Sequence, residues 1–173
     1  MANLLDSASI LLTPTAYDNG SILAIQPSDG SGDMTFSRGS SATRVNEQGL
    51  IEDVAINLPR IDYTDGCGSW LLEPQSTNLY LNSNTLVTQS NATSASAYTV
   101  SFYGTGTITF NGTHTGTLVG TGLNDRVSVT FTATSGTLIS TISGSCTKGQ
   151  LENLTYPTSW ISTQGAISTR LRD

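Results

Sequence analysis

Apolar and polar residues alternate strictly along residues 127–134, which read VSVTFTAT. In an extended chain successive side chains point to opposite faces. The valines, the phenylalanine and the alanine therefore share one face, while the serine and the threonines share the other. This pattern predicts a half-buried strand whose apolar face packs on a core and whose hydroxyl-bearing face meets solvent.

Similar segments surround this strand. Residues 98–103, YTVSFY, alternate in the same way and predict a second half-buried strand, and shorter strands are expected at 107–110, 117–119 and 137–143. Asn111-Gly112 and Ser135-Gly136 lie between them, at positions where tight hairpins need a positive φ. No segment has helical spacing of apolar residues. The sequence predicts an all-β protein with a small antiparallel β-sandwich or jelly-roll-like domain.

The two halves of the chain differ in charge. Ten of the 13 acidic residues lie within the first 73 positions, and no charged residue occurs from Pro74 to Asn124. We therefore divide the chain into residues 1–90 and 91–173. The first part is expected to be irregular and turn-rich, with short strands at 9–12, 21–25 and 34–38 and with a turn at Pro14.

Composition argues against several classes of partner. The net charge is −6, the sequence pI is about 4.5 and Lys148 is the only lysine, so a nucleic acid or a membrane surface is not an expected partner. Neither a signal peptide nor a membrane span is visible, which favours synthesis and folding in the cytosol. Cys67 and Cys146 leave two alternatives, free thiols or a disulfide.

The titratable residues do not form a recognisable catalytic pattern. His114, the only histidine, lies between glycines and is interpreted as a turn residue. Glu52 with Asp53, or Asp62 with Asp65, would be the carboxylate pair of a glycosidase, but structural roles for them are favoured. We predict that the chain is not an enzyme and binds no metal or cofactor.

The remaining polar candidates also have structural interpretations. The segment 29–33, DGSGD, is interpreted as a turn rather than a calcium loop, because it lacks a closing glutamate. Arg38, Arg44 and Arg60 lie among acidic residues and are expected to form ion pairs. The aromatic residues are expected mainly in a core or an interface.

Several short motifs follow one another in a distinctive order. They are TFSRGSSATRVN at 35–46, GLIE at 49–52, NLPRIDY at 57–63, LLEPQSTNL at 71–79, QLE at 150–152, YPTS at 156–159 and TR at 169–170. This order resembles fibre and appendage proteins of tailed bacteriophages that infect Bacteroidetes, including the head fibres of crAss-like phages. In that family a larger lectin-like jelly roll usually lies between the LLEPQSTNL and QLE motifs, whereas residues 82–149 here form a short insert.

The resemblance implies a virion-surface protein that is synthesised in the host cytoplasm. On this interpretation, residues 1–90 form a virion-attachment and trimerisation module, and residues 91–173 form a small β-sandwich whose C-terminal segment packs back on that module. The partners are other copies of the chain, capsid or tail proteins and, as an alternative function, host-surface glycan. The alternatives to a head fibre or decoration are a tail fibre, a carbohydrate-binding module and a glycan depolymerase.

Two sets of site residues follow. The irregular first part carries many apolar residues that need partners to cover them, so homotrimer or anchor contacts are predicted there. These contacts are Phe36, Arg38, Arg44, Val45, Leu50, Ile51, Pro59, Arg60, Ile61, Tyr63, Leu71 and Leu72. The candidate glycan contacts are Tyr98, Tyr103 and His114.

Overall fold

The computed structural model describes residues 4–173 and is all-β, as the sequence predicts. One helical turn, α1 (Leu4–Ser7), precedes the strands. The strands up to residue 74 are β1 (Leu11–Asp18), β2 (Ser21–Gln26), β3 (Met34–Thr35), β4 (Ala42–Val45), β5 (Ile51–Val54), β6 (Ile61–Asp62) and β7 (Ser69–Trp70). The later strands are β8 (Ser76–Asn78), β9 (Gln89–Thr93), β10 (Ala97–Gly104), β11 (Thr107–Gly112), β12 (Gly116–Val119), β13 (Gly122–Thr132), β14 (Gly136–Ser143), β15 (Cys146–Glu152) and β16 (Ser168–Arg170).

The described residues form two compact units. Unit 1 consists of residues 4–74 together with 171–173, and unit 2 consists of residues 75–170. The boundary that composition places at residue 90 falls inside unit 2. Within residues 4–173, no helix is long and apolar enough to cross a membrane.

Unit 1 is built from three small antiparallel sheets. Their strand orders are β1-β2-β3, β4-β5 and β6-β7. The β4–β5 hairpin is closed by Asn46, whose side-chain oxygen accepts hydrogen bonds from the backbone N–H groups of Gln48 and Leu50. The expected turn at Pro14 is wrong: β1 continues through it, and its pairing with β2 is irregular between Leu12 and Tyr17. Proline has no N–H to donate to a ladder, which suits it to such an interruption.

Unit 2 contains two larger antiparallel sheets and one closing pair of strands. The strand orders are β13-β10-β15, β12-β11-β14-β9 and β16-β8. Both larger sheets contribute to one hydrophobic core, which consists of Tyr80, Leu86, Tyr98, Val100, Phe102, Ile108, Phe110, Phe131, Ala133, Leu138, Cys146 and Leu151. Strands expected at 107–110, 117–119 and 137–143 are present as β11, β12 and β14.

The two alternating segments have different surroundings. In β13, the polar residues Ser128, Thr130 and Thr132 are exposed, as expected of a half-buried strand. In β10, the expectation is wrong, because Thr99 and Ser101 are as fully buried as the apolar residues between them. The segment after β15 covers this second face, where the Thr99 hydroxyl donates to the Leu154 carbonyl over 2.9 Å. Both faces of β10, the central strand of its sheet, are therefore buried.

Candidate functional site

The residues predicted to contact other subunits occupy three kinds of position in unit 1. Phe36, Arg38 and Arg60 are buried, while Leu50 and Leu72 are 61% and 64% exposed. The half-buried members are Arg44, Val45, Ile51, Pro59, Ile61, Tyr63 and Leu71. The three buried side chains pack inside unit 1 and are not accessible to another subunit. They are therefore removed from the predicted subunit contacts. The exposed and half-buried ones remain predicted contacts.

A buried charge cluster lies at the centre of unit 1. Arg38 Nη1 is 2.8 Å from Asp173 Oδ1, and Arg60 forms an ion pair with the other oxygen of the same carboxylate. Arg60 Nη1 is also 2.8 Å from Glu73 Oε2. The side chains of Arg38, Arg60 and Asp173 are completely buried, and that of Glu73 nearly so. We call these four residues the arginine–carboxylate cluster.

Backbone groups complete the hydrogen bonding of this cluster. Arg38 donates to the carbonyls of Ser40 and Ala55 over 2.8 and 2.7 Å, and Arg60 donates to the Thr43 carbonyl over 3.0 Å. The five donors of a guanidinium group suit such a convergence of acceptors. The arginines thus join segments that are far apart in the sequence, since 135 residues separate Arg38 from Asp173.

The cluster also shifts the pKa of the Asp173 carboxyl group. Burial alone would raise that pKa, because it disfavours the charged form. Hydrogen bonds from Arg60 and Arg38, together with the positive charge of Arg60, outweigh burial, so the pKa lies below its ordinary value. Asp173 is therefore ionised at neutral pH.

A second ion pair lies closer to the surface. Arg44 Nη2 is 2.6 Å from Glu52 Oε1, and the Asn46 amide donates to the other carboxylate oxygen over 3.0 Å. The hydrogen bonds from Asn46 and Arg44 lower the pKa of Glu52. The prediction that Arg44 and Arg60 pair with carboxylates is confirmed. The partly exposed Arg44–Glu52 pair is expected to contribute less to stability than the buried cluster, because solvent screens it.

A groove of about 520 Å³ opens beside this ion pair. It lies between β1, β5 and the segment that follows β5. Its lining is mostly apolar, with Arg44 and Asp53 as its charged members, and consists of Pro14, Thr15, Tyr17, Arg44, Asp53, Val54, Ala55, Leu58, Pro59 and Ile61. Three of these residues, Arg44, Pro59 and Ile61, belong to the predicted subunit contacts. The groove is therefore the concave part of that predicted surface.

Unit 1 exposes far more apolar side chains than it buries. Among the described residues it buries four hydrophobic ones, which are Ile22, Phe36, Ala42 and Val54. It leaves ten large ones exposed, which are Leu5, Ile10, Leu23, Ile25, Met34, Leu50, Ile56, Leu58, Leu72 and Leu171. Unit 2 has the opposite balance, with 13 buried and seven exposed. These exposed side chains are therefore candidates for a contact surface.

The carboxylates of the glycosidase alternative are engaged locally. Asp62 accepts hydrogen bonds from the backbone N–H groups of Val45 and Thr64 over 2.7 and 3.0 Å. Glu52 is occupied by Arg44 and Asn46, while Asp53 and Asp65 are exposed. Asp62 therefore fixes the course of its own segment, which is the structural role that the sequence favours.

The acidic turn at 29–33 is also held by its own hydrogen bonds. Asp29 accepts from the Ser31 N–H over 3.0 Å, and hydrogen bonds from Ser31 lower the pKa of Asp29. Asp33 accepts from the Ala24 N–H over 2.7 Å and ties the turn to β2. Within residues 4–173, the structure brings together no group of three or more His, Cys, Asp or Glu side chains that could hold a metal ion.

The three candidate glycan contacts are differently placed in unit 2. Tyr98 is 4% exposed and stacks on Phe131 with 6.4 Å between ring centroids, so its ring is not accessible to a sugar. His114 lies in the turn between β11 and β12, as expected, but stacks on Phe131 at 3.9 Å. Burial lowers the pKa of His114. Tyr103 is half-buried, with Lys148 Nζ 5.7 Å from its ring centroid.

Two further observations concern the cysteines, for which the sequence leaves two alternatives, and Glu152, for which it predicts no role. Cys67 is exposed and Cys146 is buried in the core of unit 2, and both are free thiols. The buried carboxylate of Glu152 accepts hydrogen bonds from the Ser76 hydroxyl over 2.6 Å and the Thr158 N–H over 3.0 Å. Asp173, Glu73 and Glu152 are not among the predicted site residues, although Glu73 and Glu152 lie in the motifs at 71–79 and 150–152, because their partners are distant or lack a recognisable spacing.

Comparison of the chain with known proteins gives no match. No protein-family model, no curated protein and no solved structure matches it. Its function must therefore be inferred from its own contacts, its exposed surfaces and its motifs.

Proposed function

We propose that this chain is a non-enzymatic structural protein of a bacteriophage virion, a homotrimeric head fibre or capsid decoration whose subunits meet through unit 1. The observation that carries the proposal is the imbalance of unit 1, which leaves ten large apolar side chains exposed and buries four hydrophobic residues. A unit with so small a core gains stability when copies of it cover those side chains.

Closed symmetry is the simplest way to cover such a surface. Stable interfaces bury about 800 Å² on each partner, and their centres are more apolar than the rest of the surface. The apolar groove and the exposed Leu50, Leu58 and Leu72 provide both concave and protruding parts for such a contact. In a ring the protruding part of one copy meets the concave part of the next. The number of three copies is taken from the resemblance to phage fibre proteins.

The virion assignment is supported by the order of the sequence motifs. The segments 35–46, 49–52 and 57–63 lie in unit 1, and the last two overlap β5 and β6. Their arginines hold the unit together: Arg38 and Arg60 from within, and Arg44 at the groove. Unit 2 then faces solvent as a spacer or cap, with few charges that would attract other molecules.

The test is the mass of the purified 173-residue chain by size-exclusion chromatography with light scattering. We expect three chains per particle at micromolar concentration. A folded monomer under those conditions would contradict the proposal.

A second candidate function, binding of neutral host glycan, is favoured by one observation in unit 2. Thr117, Thr109 and Thr141 lie in register on β12, β11 and β14, and all three are exposed. Exposed Ser143 and half-buried Thr107 lie next to that row, and β11, β12 and β14 contain no charged residue. Hydroxyl groups that both donate and accept suit the hydroxyls of a neutral sugar.

A further inference from the structure

Residues 171–173 complete unit 1, although the whole of unit 2 precedes them in the sequence. The Leu171 N–H donates to the Ser40 hydroxyl over 2.9 Å, and the Asp173 N–H donates to the Glu73 carbonyl over 3.2 Å. The Asp173 carboxylate also accepts a hydrogen bond from the Glu73 N–H over 3.0 Å. This short segment is thus anchored at both of its ends.

The anchoring brings a second carboxylate to the two buried arginines. Arg38 and Arg60 are completely buried, Asp173 contacts both of them, and Glu73 contacts Arg60. A buried guanidinium group without a compensating charge is strongly unfavourable. Residues 4–74 alone would therefore have to expose one of the two arginines to water.

We infer that residues 171–173 act as a closing strap, and that unit 1 becomes fully ordered only when Asp173 docks between Arg38 and Arg60. N-terminal domains usually fold first during synthesis. Here the order is reversed, because the strap is made after residues 75–170. At about 5–20 residues per second, unit 1 waits roughly 5–20 s for its strap. On the proposed function, the delay keeps subunits from associating through unit 1 before residues 75–170 have been made.

Hydrogen exchange measured by mass spectrometry tests the strap on the 173-residue chain. The variant is Asp173→Asn, which keeps the shape of the side chain and removes its charge. The matched control is Arg172→Gln, which changes an exposed neighbouring charge. We expect amides of residues 42–54 to exchange at least ten-fold faster in Asp173→Asn, while amides of residues 97–112 and the whole of the control exchange as in the wild type.

Unchanged exchange of residues 42–54, or equal acceleration in both units, would overturn the inference. Asp173→Glu provides a second variant that retains the charge, and it should accelerate exchange of unit 1 less than Asp173→Asn does. Equal effects of the two variants would also count against a charge-dependent strap. The mass of the wild type tests the proposed function separately. If the wild type is a monomer but Asp173→Asn still accelerates exchange in unit 1, the trimer proposal is wrong and the strap proposal stands.

Discussion

Arg38 and Asp173 form an ion pair of 2.8 Å in which both side chains are completely buried, although 135 residues separate them in the sequence. Arg60 binds the other oxygen of the same carboxylate. One aspartate thus bridges two arginines, which come from the segments 35–46 and 57–63. We expect the stability of unit 1 to depend on this arrangement.

The arginine at the centre of the cluster should be costly to remove. Arg60→Ala leaves the carboxylates of Glu73 and Asp173 with one cation fewer, and we expect the free energy of unfolding of unit 1 to fall by about 3–5 kcal/mol. Urea unfolding followed by hydrogen exchange in residues 42–54 measures the loss. Arg172→Ala, at an exposed position, is the control. Equal stabilities of the two variants would contradict the role assigned to the cluster.

The pH dependence of unit 1 follows from the lowered pKa of Asp173. The folded-state pKa lies below the ordinary value of 3.8, so the folded state binds protons less readily than the unfolded state. The stabilising contribution is complete above pH 3.8 and is lost as the pH falls through the folded-state pKa. Unfolding of wild type and Asp173→Asn from pH 7 to pH 2 should show a stability difference that shrinks below pH 3.8. A difference that stays constant would argue against an ionised Asp173.

Unit 2 should be sensitive to the backbone at the end of β10. Gly104 has a φ of +131°, and a Cβ atom there would lie 2.1 Å from the Ser145 carbonyl oxygen. Gly104→Ala therefore combines a steric clash with an unfavourable φ and should cost about 3 kcal/mol or more. Gly66→Ala is the matched control, since Gly66 has a φ of +79° with open space around it and should cost about 1 kcal/mol. Similar melting temperatures for the two variants would show that residue 104 tolerates a Cβ atom beside the Ser145 carbonyl, contrary to this prediction.

The chain should not hydrolyse glycan. Asp62 is engaged by two backbone N–H groups, and Asp65 is exposed. Purified protein incubated with host polysaccharide should leave its chain length unchanged by mass spectrometry. Asp62→Asn should lower stability by about 1 kcal/mol, because a charge-assisted hydrogen bond is weakened, and Asp65→Asn should not. Shortening of the glycan that either substitution abolishes would instead support the depolymerase.

Binding of glycan without cleavage would support the second candidate function. If the glycan binds the exposed row of Thr117, Thr109 and Thr141, we expect Thr109→Arg to abolish binding. A long charged side chain at Thr109 would disrupt the uncharged face of this sheet. Thr132→Arg, on the exposed polar face of β13, is a control at a comparable strand position. Isothermal titration with a neutral host polysaccharide provides the measurement. Binding that survives Thr109→Arg would locate any glycan site elsewhere on the chain.

The fold could be predicted from the sequence where side chains alternate over many residues. β13 is long and carries apolar residues at every second position along part of its length, so its existence and its buried face follow from local pattern. β15 has no such signal, because Gln150 and Glu152 are buried together with Leu151. Its polar residues are buried only because a later segment supplies hydrogen-bond partners, such as the Thr158 carbonyl and N–H.

The candidate site was only partly predictable for a related reason. The sequence indicated that the arginines would be paired, because acidic residues surround them, and it located apolar residues such as Leu50 and Leu72. It gave no means of finding Asp173, because the 96 residues of unit 2 lie in the sequence between Asp173 and its partners Arg38 and Arg60. Nor could it show that the ring of Tyr98 lies in the core, since alternation fixes the face of a strand but not what covers that face.

Sedimentation equilibrium of the 173-residue chain most directly tests whether unit 1 carries a contact surface between copies. We compare the wild type with Leu58→Glu, which places a charge in the apolar groove, and with Leu123→Glu, an exposed leucine of unit 2. A charge buried at an interface is strongly unfavourable, whereas an exposed charge costs little. The wild type and Leu123→Glu should have the mass of three chains, and Leu58→Glu should have the mass of one. A folded wild-type monomer at micromolar concentration would contradict self-assembly, and a trimer that survives Leu58→Glu would place the contact outside the groove.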